Sequence, residues 1–205
     1  DDEKSRTFYT KVEATCATCH GNDELVKKAA LPGGNIQAAF HDGIHDKAIH
    51  AKGDGAKAPN CASCHGAHKI RGKMDADSRV SRENIAAMCG SCHQQVYSRF
   101  SGSMHGQMRQ AGNSAAPTCI DCHSAHGIQS PNSAKWQVDV IKECGNCHGA
   151  LLTTYRDTYH GQVTQLGYTR VATCSSCHGA HEVLPASNPK SMISPDNRVS
   201  TCRSC

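Results

Sequence analysis

The sequence predicts a mostly irregular fold with short α-helices and little or no β-structure. The first observation behind this prediction is composition: of 205 residues, 38% are hydrophobic and 4% aromatic, and the hydrophobic fraction includes 14 cysteines. Such side chains cannot bury enough apolar surface to offset the conformational entropy lost on folding. The second observation is that the cysteines recur in one fixed motif. The third is that this motif repeats along the whole chain, so bound groups are expected to provide most of the core.

The repeated motif is Cys-x-x-Cys-His. Six complete copies occupy residues 16–20, 61–65, 89–93, 119–123, 144–148 and 174–178. The chain ends on a partial copy, Cys202–Cys205, and the pattern predicts that the next residue is His. These copies contain every cysteine: Cys16, Cys19, Cys61, Cys64, Cys89, Cys92, Cys119, Cys122, Cys144, Cys147, Cys174, Cys177, Cys202 and Cys205.

This spacing is the attachment motif of c-type haem. The two thiols bond to the haem vinyl groups, and the adjacent His binds the iron on one side. Half a zinc site, a redox dithiol or a set of disulfides would use the cysteines but would not require a His after each pair. We therefore predict about seven covalently bound haems c, with short helices at the motifs and the porphyrins forming the core.

The charge pattern predicts no nucleic-acid partner. The polypeptide has a formal net charge of +4, but two propionates and one ferric charge per haem would bring the sum to about −3. Lys and Arg are dispersed along the chain. No apolar stretch approaches the length of a membrane span, and the polar start, Asp1–Lys4, is typical of a chain whose signal peptide has been removed. Because covalent haem is attached outside the cytoplasm, we expect a periplasmic or extracellular protein.

The motifs are of two kinds, and their alternation predicts internal repeats. Three copies continue to a second His as Cys-x-x-Cys-His-x-x-His, and they begin at Cys61, Cys119 and Cys174. The other kind begins at Cys89, Cys144 and Cys202. We predict one multihaem domain with two-haem repeats of 55–58 residues, whose ranges are about 41–95, 100–150 and 155–205 after a leading haem unit at 1–40. Residues around 22–40 and 127–140 are predicted to be connecting loops.

The 14 histidines divide in a similar way. Six complete the motifs and are predicted as proximal iron ligands: His20, His65, His93, His123, His148 and His178. Six others recur with the repeat and are predicted as distal ligands: His45, His105, His160, His68, His126 and His181. Two histidines remain, His41 and His50, and either of them would complete a set of seven distal ligands. The sequence therefore predicts bis-His ligation at most or all irons.

Three of the predicted distal ligands, His68, His126 and His181, follow a motif His by three residues. In a helix this spacing puts both side chains on one face. The two axial ligands of one iron must approach from opposite sides of the porphyrin. We therefore expect these three histidines to bind irons that are held by other motifs. The methionines do not follow the repeat and are not predicted as ligands.

With these motifs, the chain resembles the multihaem c-type cytochromes of anaerobic respiration, especially periplasmic cytochromes built from Ser-x-His-Gly and Cys-x-x-Cys-His-Gly-x-His units. The resemblance covers nearly the whole chain and implies the same six distal histidines. It also implies redox protein partners, with a membrane cytochrome b or quinol-oxidising module among them. Related nitrite reductases carry a Cys-x-x-Cys-Lys motif that is absent here. Hydroxylamine-oxidising relatives crosslink a haem to a Tyr, and nothing marks Tyr155, Tyr159 or Tyr168 for that role.

We predict an electron carrier of a respiratory pathway rather than an enzyme, in which electrons pass along closely spaced haems. Two alternatives stay open. One is an oxidoreductase in which one five-coordinate haem acts on a small nitrogen or sulfur compound. The other is a subunit of a haem filament for extracellular electron transfer, in which chains supply ligands to one another. The oligomeric state is left open.

Overall fold

The fold is built from short helices, as the sequence predicts. The structure, a computed structural model, describes residues 2–30, 35–51 and 58–205. Within those ranges the chain is about 53% helical and contains no β-strand. A 3-10 turn at Tyr9–Lys11 precedes the α-helices, which are α1 Val12–His20, α2 Asp23–Lys28, α3 Ile36–His41, α4 Ile44–Ile49, α5 Cys61–His65, α6 Ile85–Gly90, α7 Gln94–Gly102, α8 Met104–Gln110, α9 Cys119–His123, α10 Ala134–Cys147, α11 Gly149–Asp157, α12 Tyr159–Gln165, α13 Cys174–His178 and α14 Arg198–Arg203.

The helices fall into two compact units. The first consists of Asp1–Met88 together with His123–Ser130, and the second of Cys89–Cys122 together with Pro131–Cys205. The single multihaem domain and its two-haem repeats stay a prediction.

The loops predicted at residues 22–40 and 127–140 are partly wrong. Helices α2 and α3 occupy much of the first range, and α10, the longest helix described, begins at Ala134. Ser133 caps α10 by accepting a hydrogen bond from the backbone N–H of Trp136. Lys135 and Asp139 form an i,i+4 ion pair at 3.0 Å on its surface, and Ile141 is buried. A cap, a surface ion pair and a buried apolar residue outweigh the turn-forming residues that favoured a loop.

Two motif glycines let consecutive helices pack closely. Gly90 ends α6, and a Cβ at this position would overlap the ring of Tyr97 in α7. Gly145 lies in α10, and a Cβ there would overlap Leu152 in α11. Both glycines directly follow the first cysteine of a motif of the second kind, at Cys89 and Cys144. In these two motifs the glycine therefore allows the helix that carries the first cysteine to pack closely against the next helix, α6 against α7 and α10 against α11.

The side-chain core of the described residues is very small. Its buried hydrophobic residues are Val26, Ile49, Ile85, Ala116, Ile141 and Leu184. The polypeptide exposes 13591 Å², against about 9,300 Å² expected for one globular protein of its mass and about 11,200 Å² for two separate halves. The excess is apolar in part, because Leu151, Leu166 and Tyr159 are 66%, 87% and 76% exposed. This surface agrees with a core that bound porphyrins complete.

Candidate haem centres

The three motifs with a second His share one local structure. Helices α5, α9 and α13 each span the five residues from the first Cys to the motif His. Asn60 caps α5 by accepting from the backbone N–H groups of Ala62 and Ser63. The residue after the motif His then has a positive φ: 80° at Gly66, 61° at Ser124 and 79° at Gly179. The helix therefore stops at the motif His, and the second His lies beyond it.

This geometry corrects one step of the sequence interpretation. His68, His126 and His181 were placed on the helix face of their own motif His, but each follows a left-handed residue outside the helix. The chain turns away from the motif His at that point. The expectation that these residues serve other motifs stays a prediction, and it is supported for His126, which lies beside a His of another motif, His65.

Cysteines of consecutive motifs lie close to one another. In three motif pairs the first cysteines are near enough to shift each other's pKa: Cys16 with Cys61, Cys89 with Cys119, and Cys144 with Cys174. Burial and the neighbouring Cys16 raise the pKa of the Cys61 thiol to about 12. The neighbouring Cys89 lowers the pKa of the Cys119 thiol to about 7. The attachment points of each motif pair are therefore adjacent, with a motif of the Cys-x-x-Cys-His-x-x-His kind second in every pair.

Two predicted ligand pairs come together. In the first unit, the rings of His65 and His126 lie with centroids 6.0 Å apart and planes 6° from parallel. Burial, and then the charge of His20, lowers the pKa of His65. Burial, and then the charges of His65 and His20, lowers the pKa of His126. In the second unit, the His105 and His148 centroids are 6.2 Å apart with planes at 36°. Burial and His148 lower the pKa of His105. A lowered pKa keeps an imidazole neutral, which is the form that binds a metal.

These separations fit the haem that the motifs imply. An imidazole nitrogen about 2.0–2.1 Å from a metal puts its ring centroid about 3 Å away, so two rings on opposite sides lie about 6 Å apart. Rings in a stacking contact would lie closer than the 6.0 Å between His65 and His126. Each pair joins a motif His to a predicted distal His from a different part of the chain. Two opposed imidazoles are the axial ligands that a bis-His haem needs, and the two motif thiols are the groups that attach a haem c.

The segment ahead of His105 and His160 has a clear local role. Ser103 and Thr158 are the N-caps of α8 and α12, and each hydroxyl accepts from the backbone N–H of a Gly three residues later. Those glycines, Gly106 and Gly161, are buried. The cap starts the helix, and the following His is thereby placed on its first turn.

Replacing Gly106 by Ala is expected to destabilise the second unit by on the order of 1–3 kcal/mol. A Cβ at this position would overlap the carbonyl oxygen of Phe100, which is backbone and cannot move aside cheaply. Chemical denaturation of the haem-loaded protein measures the effect. Gly102→Ala is the control, because a Cβ there meets nothing within 4 Å. Equal stability of both variants would contradict this account of Gly106.

A cavity of about 440 Å³ in the second unit lies beside another predicted ligand. Its lining residues are Arg99, Gly179, Ala180, His181, Glu182, Lys190 and Met192. Burial, and then the charge of Arg99, lowers the pKa of His181. Arg99 and Lys190 are cations that could pair with haem propionates, and sequence reasoning did not find them. Dispersed Lys and Arg give no signal in the sequence for such a role.

The other predicted ligands are placed on the elements that the repeat implies. His45 lies in α4 and His160 in α12, where the ring centroids of Tyr159 and His160 are 6.2 Å apart with planes at 67°. The remaining motif histidines end or follow a motif helix: His20, His93, His123 and His178. His68 is exposed after α5.

The two unassigned histidines both approach one buried carboxylate. Asp46 in α4 is 2% exposed. Its Oδ2 lies 2.8 Å from His41 Nδ1, and its Oδ1 lies 3.3 Å from His50 Nε2. Sequence reasoning missed Asp46, although one signal was present. Asp46 stands where the equivalent segments have Gly106 and Gly161.

Comparison with known proteins points to one class. Residues 2–135, about two thirds of the chain, match the family described as outer membrane cytochrome MtrC/MtrF-like, domains II/IV. The multiheme cytochrome MtrA of Shewanella baltica is 25% identical over 146 residues, which are 71% of this chain and 34% of that protein. The cytochrome c-type protein NapC of Haemophilus influenzae is 24% identical over 181 residues, which are 86% of this chain and 70% of that protein. The chain thus spans about a third of the first relative, and no solved structure matches it.

These matches confirm the resemblance to multihaem c-type cytochromes of respiration. They support c-type haem and electron transfer as the general class of cofactor and activity. In the described ranges, no helix is both long enough and apolar enough to span a membrane.

Proposed function

The chain belongs to the MtrC/MtrF-like outer membrane cytochrome family, in its domains II/IV, and from this premise we propose that it carries electrons through covalently bound haems c in a respiratory pathway. The haems, when bound, supply reversible one-electron chemistry at iron. The polypeptide attaches them, fixes their spacing and supplies their axial ligands. The whole protein's partners and pathway are part of the proposal.

The observation that carries this proposal is the pairing of motif and distal histidines. His65 with His126, and His105 with His148, have ring separations that suit opposite sides of one iron. Two strong ligands would leave no open position for a substrate. They would also keep the coordination number the same in both oxidation states, so electron transfer would require little rearrangement. Paired ligands therefore favour a carrier over an enzyme.

The closeness of cysteines from consecutive motifs supports transfer from one centre to the next. Cys16 lies close to Cys61 in the first unit, and Cys144 lies close to Cys174 in the second. Each pair joins the attachment points of two consecutive motifs. We propose that this closeness holds neighbouring haems near enough for electron tunnelling. The motif count implies about seven haems, and the repeat implies that most are bis-His.

The site of action and the partners follow from the same chemistry. Covalent haem attachment implies an exported chain, and we propose a periplasmic or extracellular location. The relatives are named as a multiheme cytochrome and a cytochrome c-type protein, which supports redox proteins as partners. We propose a membrane cytochrome b or quinol-oxidising module among them from the motif resemblance alone. Haem propionates would make the loaded protein acidic, so basic patches on those partners would favour encounter.

Protein-film voltammetry of the haem-loaded chain tests the proposal. We expect reversible current spread over a broad range of potentials, with an electron count that equals the haem count. Adding nitrite, hydroxylamine or sulfite is expected to leave the current unchanged. A catalytic current with one of these compounds would assign an enzyme with an open haem. A chain that binds haem yet shows no reversible current would also contradict the proposal.

A further inference from the structure

The six histidines that recur with the repeat all lie in the three repeats after the first motif. Of these, His105 lies before the motif at Cys119 and pairs with His148, which belongs to the next motif along the chain. The first motif is of the same kind as the one containing His148, because no second His follows His20 and because Cys16 lies close to Cys61 as Cys144 does to Cys174. The histidines that the repeat leaves over, His41 and His50, are therefore the candidates for the second ligand of this motif's iron.

Asp46 singles out the segment that can supply this ligand. The equivalent positions in α8 and α12 are Gly106 and Gly161, where a Cβ would overlap a backbone carbonyl. In α4 the position instead holds a buried carboxylate, 2% exposed, which both His41 and His50 approach. Burying a carboxylate is unfavourable unless hydrogen-bond donors compensate it. A buried carboxylate behind an imidazole is a common means of orienting a metal-binding His.

The two histidines differ in position and in the ring nitrogen that faces Asp46. His50 lies where α8 and α12 have Gln110 and Gln165, whose amides donate to the backbone carbonyls of Ser101 and Arg156. His50 therefore occupies a structural position, and its Nε2 faces the carboxylate. His41 directs Nδ1 to Asp46 at 2.8 Å, which leaves Nε2 as the nitrogen for a metal. The His41 side chain is 73% exposed at the end of α3.

The packing of α3 brings His41 toward the first motif. Helix α3 packs against α1, which carries that motif. Gln37 in α3 lies so close to Gly21 that a Cβ on Gly21 would overlap its amide. Gly21 directly follows His20, and His41 lies one helical turn after Gln37 on the same face of α3. His20 and His41 are both exposed on the polypeptide.

We propose that His41, oriented by Asp46, is the second axial ligand of the iron held at Cys16, Cys19 and His20. His50 then has a structural role and binds no iron. The inference rests on the proposed function, because it requires a haem at the first motif. Asp46 acts through His41 as a positioning residue and also makes the imidazole a stronger donor to iron.

Low-temperature EPR of the fully oxidised, haem-loaded protein tests the ligand. In His41→Ala, about one haem per chain is expected to change from low-spin to high-spin, and added imidazole is expected to restore the low-spin signal. His50→Gln, which introduces the residue of the equivalent segments, is expected to leave every haem low-spin. High-spin iron in His50→Gln, or none in His41→Ala, would overturn the assignment. If His68→Ala shows high-spin iron and His41→Ala does not, the ligand is His68 instead.

A second variant set identifies the iron and the part played by Asp46. Cys16→Ala with Cys19→Ala removes the first haem, and His41→Ala in that background is expected to add no high-spin signal. A signal that persists there would place His41 on another iron.

Asp46→Asn tests the positioning role. It is expected to shift the g values and raise the potential of one haem while that haem stays low-spin. The control is Asp42→Asn, on an exposed carboxylate paired with Lys47, and it is expected to change neither quantity. If Asp46→Asn leaves g values and potential unchanged, the positioning role is wrong. Wild-type protein without haem would count against the proposed function rather than this inference.

Discussion

Without haem, the chain is expected to lose most of its helix and all cooperative unfolding. The described residues contain only six buried hydrophobic side chains: Val26, Ile49, Ile85, Ala116, Ile141 and Leu184. The helices are also short, with α5, α9 and α13 spanning five residues each. Isolated helices below about 12–15 residues are marginal in water. Covalent haem therefore supplies the apolar contacts that make these helices stable, as bound metal does in small metal-dependent domains.

Expression with and without the haem-attachment machinery, followed by circular dichroism, measures this effect. The loaded protein is expected to show a helical spectrum that matches the helical content of the structure, and the haem-free chain is expected to resemble a disordered polypeptide. A matched control is the chain with only Cys16→Ala and Cys19→Ala, which loses a single haem and should keep most of its helix. A haem-free chain with native helicity and a cooperative thermal transition would show that the side chains suffice for folding.

Loss of His126 is expected to open one iron. His126 and His65 face each other at 6.0 Å in the first unit, and both rings are half-buried. In His126→Ala, the iron held by His65 loses its second ligand and becomes five-coordinate or water-bound. Visible and near-infrared spectra of the oxidised protein should show about one high-spin haem per chain. That haem should also bind cyanide or nitric oxide much faster than the others do.

His126→Met provides the matched control. A thioether ligand keeps the iron low-spin and raises its potential, by on the order of 0.1 V or more within the roughly 0.8 V range that axial ligands cover. His105→Ala is expected to reproduce the His126→Ala result at the iron of His148, since the second pair has nearly the same spacing. A His126→Ala protein in which every haem stays low-spin would show that another residue binds that iron.

The cysteine pattern and the composition allowed the cofactor class to be predicted, together with a fold of short α-helices and little or no β-structure. Fixed spacing such as that of Cys61, Cys64 and His65 encodes one chemical arrangement. The recurrence of His105 and His126 also identified them as candidate ligands before their partners were known. Contacts between distant residues are what spacing alone does not encode. The pairing of His65 with His126, and of Cys16 with Cys61, depends on how the segments pack.

Two errors have a local physical cause. The second His of each extended motif was placed on a helix, but the residue after the motif His is left-handed at Gly66, Ser124 and Gly179. A Gly favours that conformation, so Gly66 and Gly179 carried a signal in the sequence, whereas Ser124 carried none. The predicted loop before Cys144 is instead α10, where a Ser133 cap and the buried Ile141 decide the structure.

The central claim is that the chain is a carrier in which motif and distal histidines saturate covalently bound irons. The most direct measurement is low-temperature EPR of the fully oxidised protein, with haem content and intact mass determined on the same sample. The account predicts about seven haems per chain and low-spin ferric signals at most or all of them. A substantial high-spin signal that changes with nitrite, hydroxylamine or cyanide would contradict it, because that iron would have an open position for chemistry.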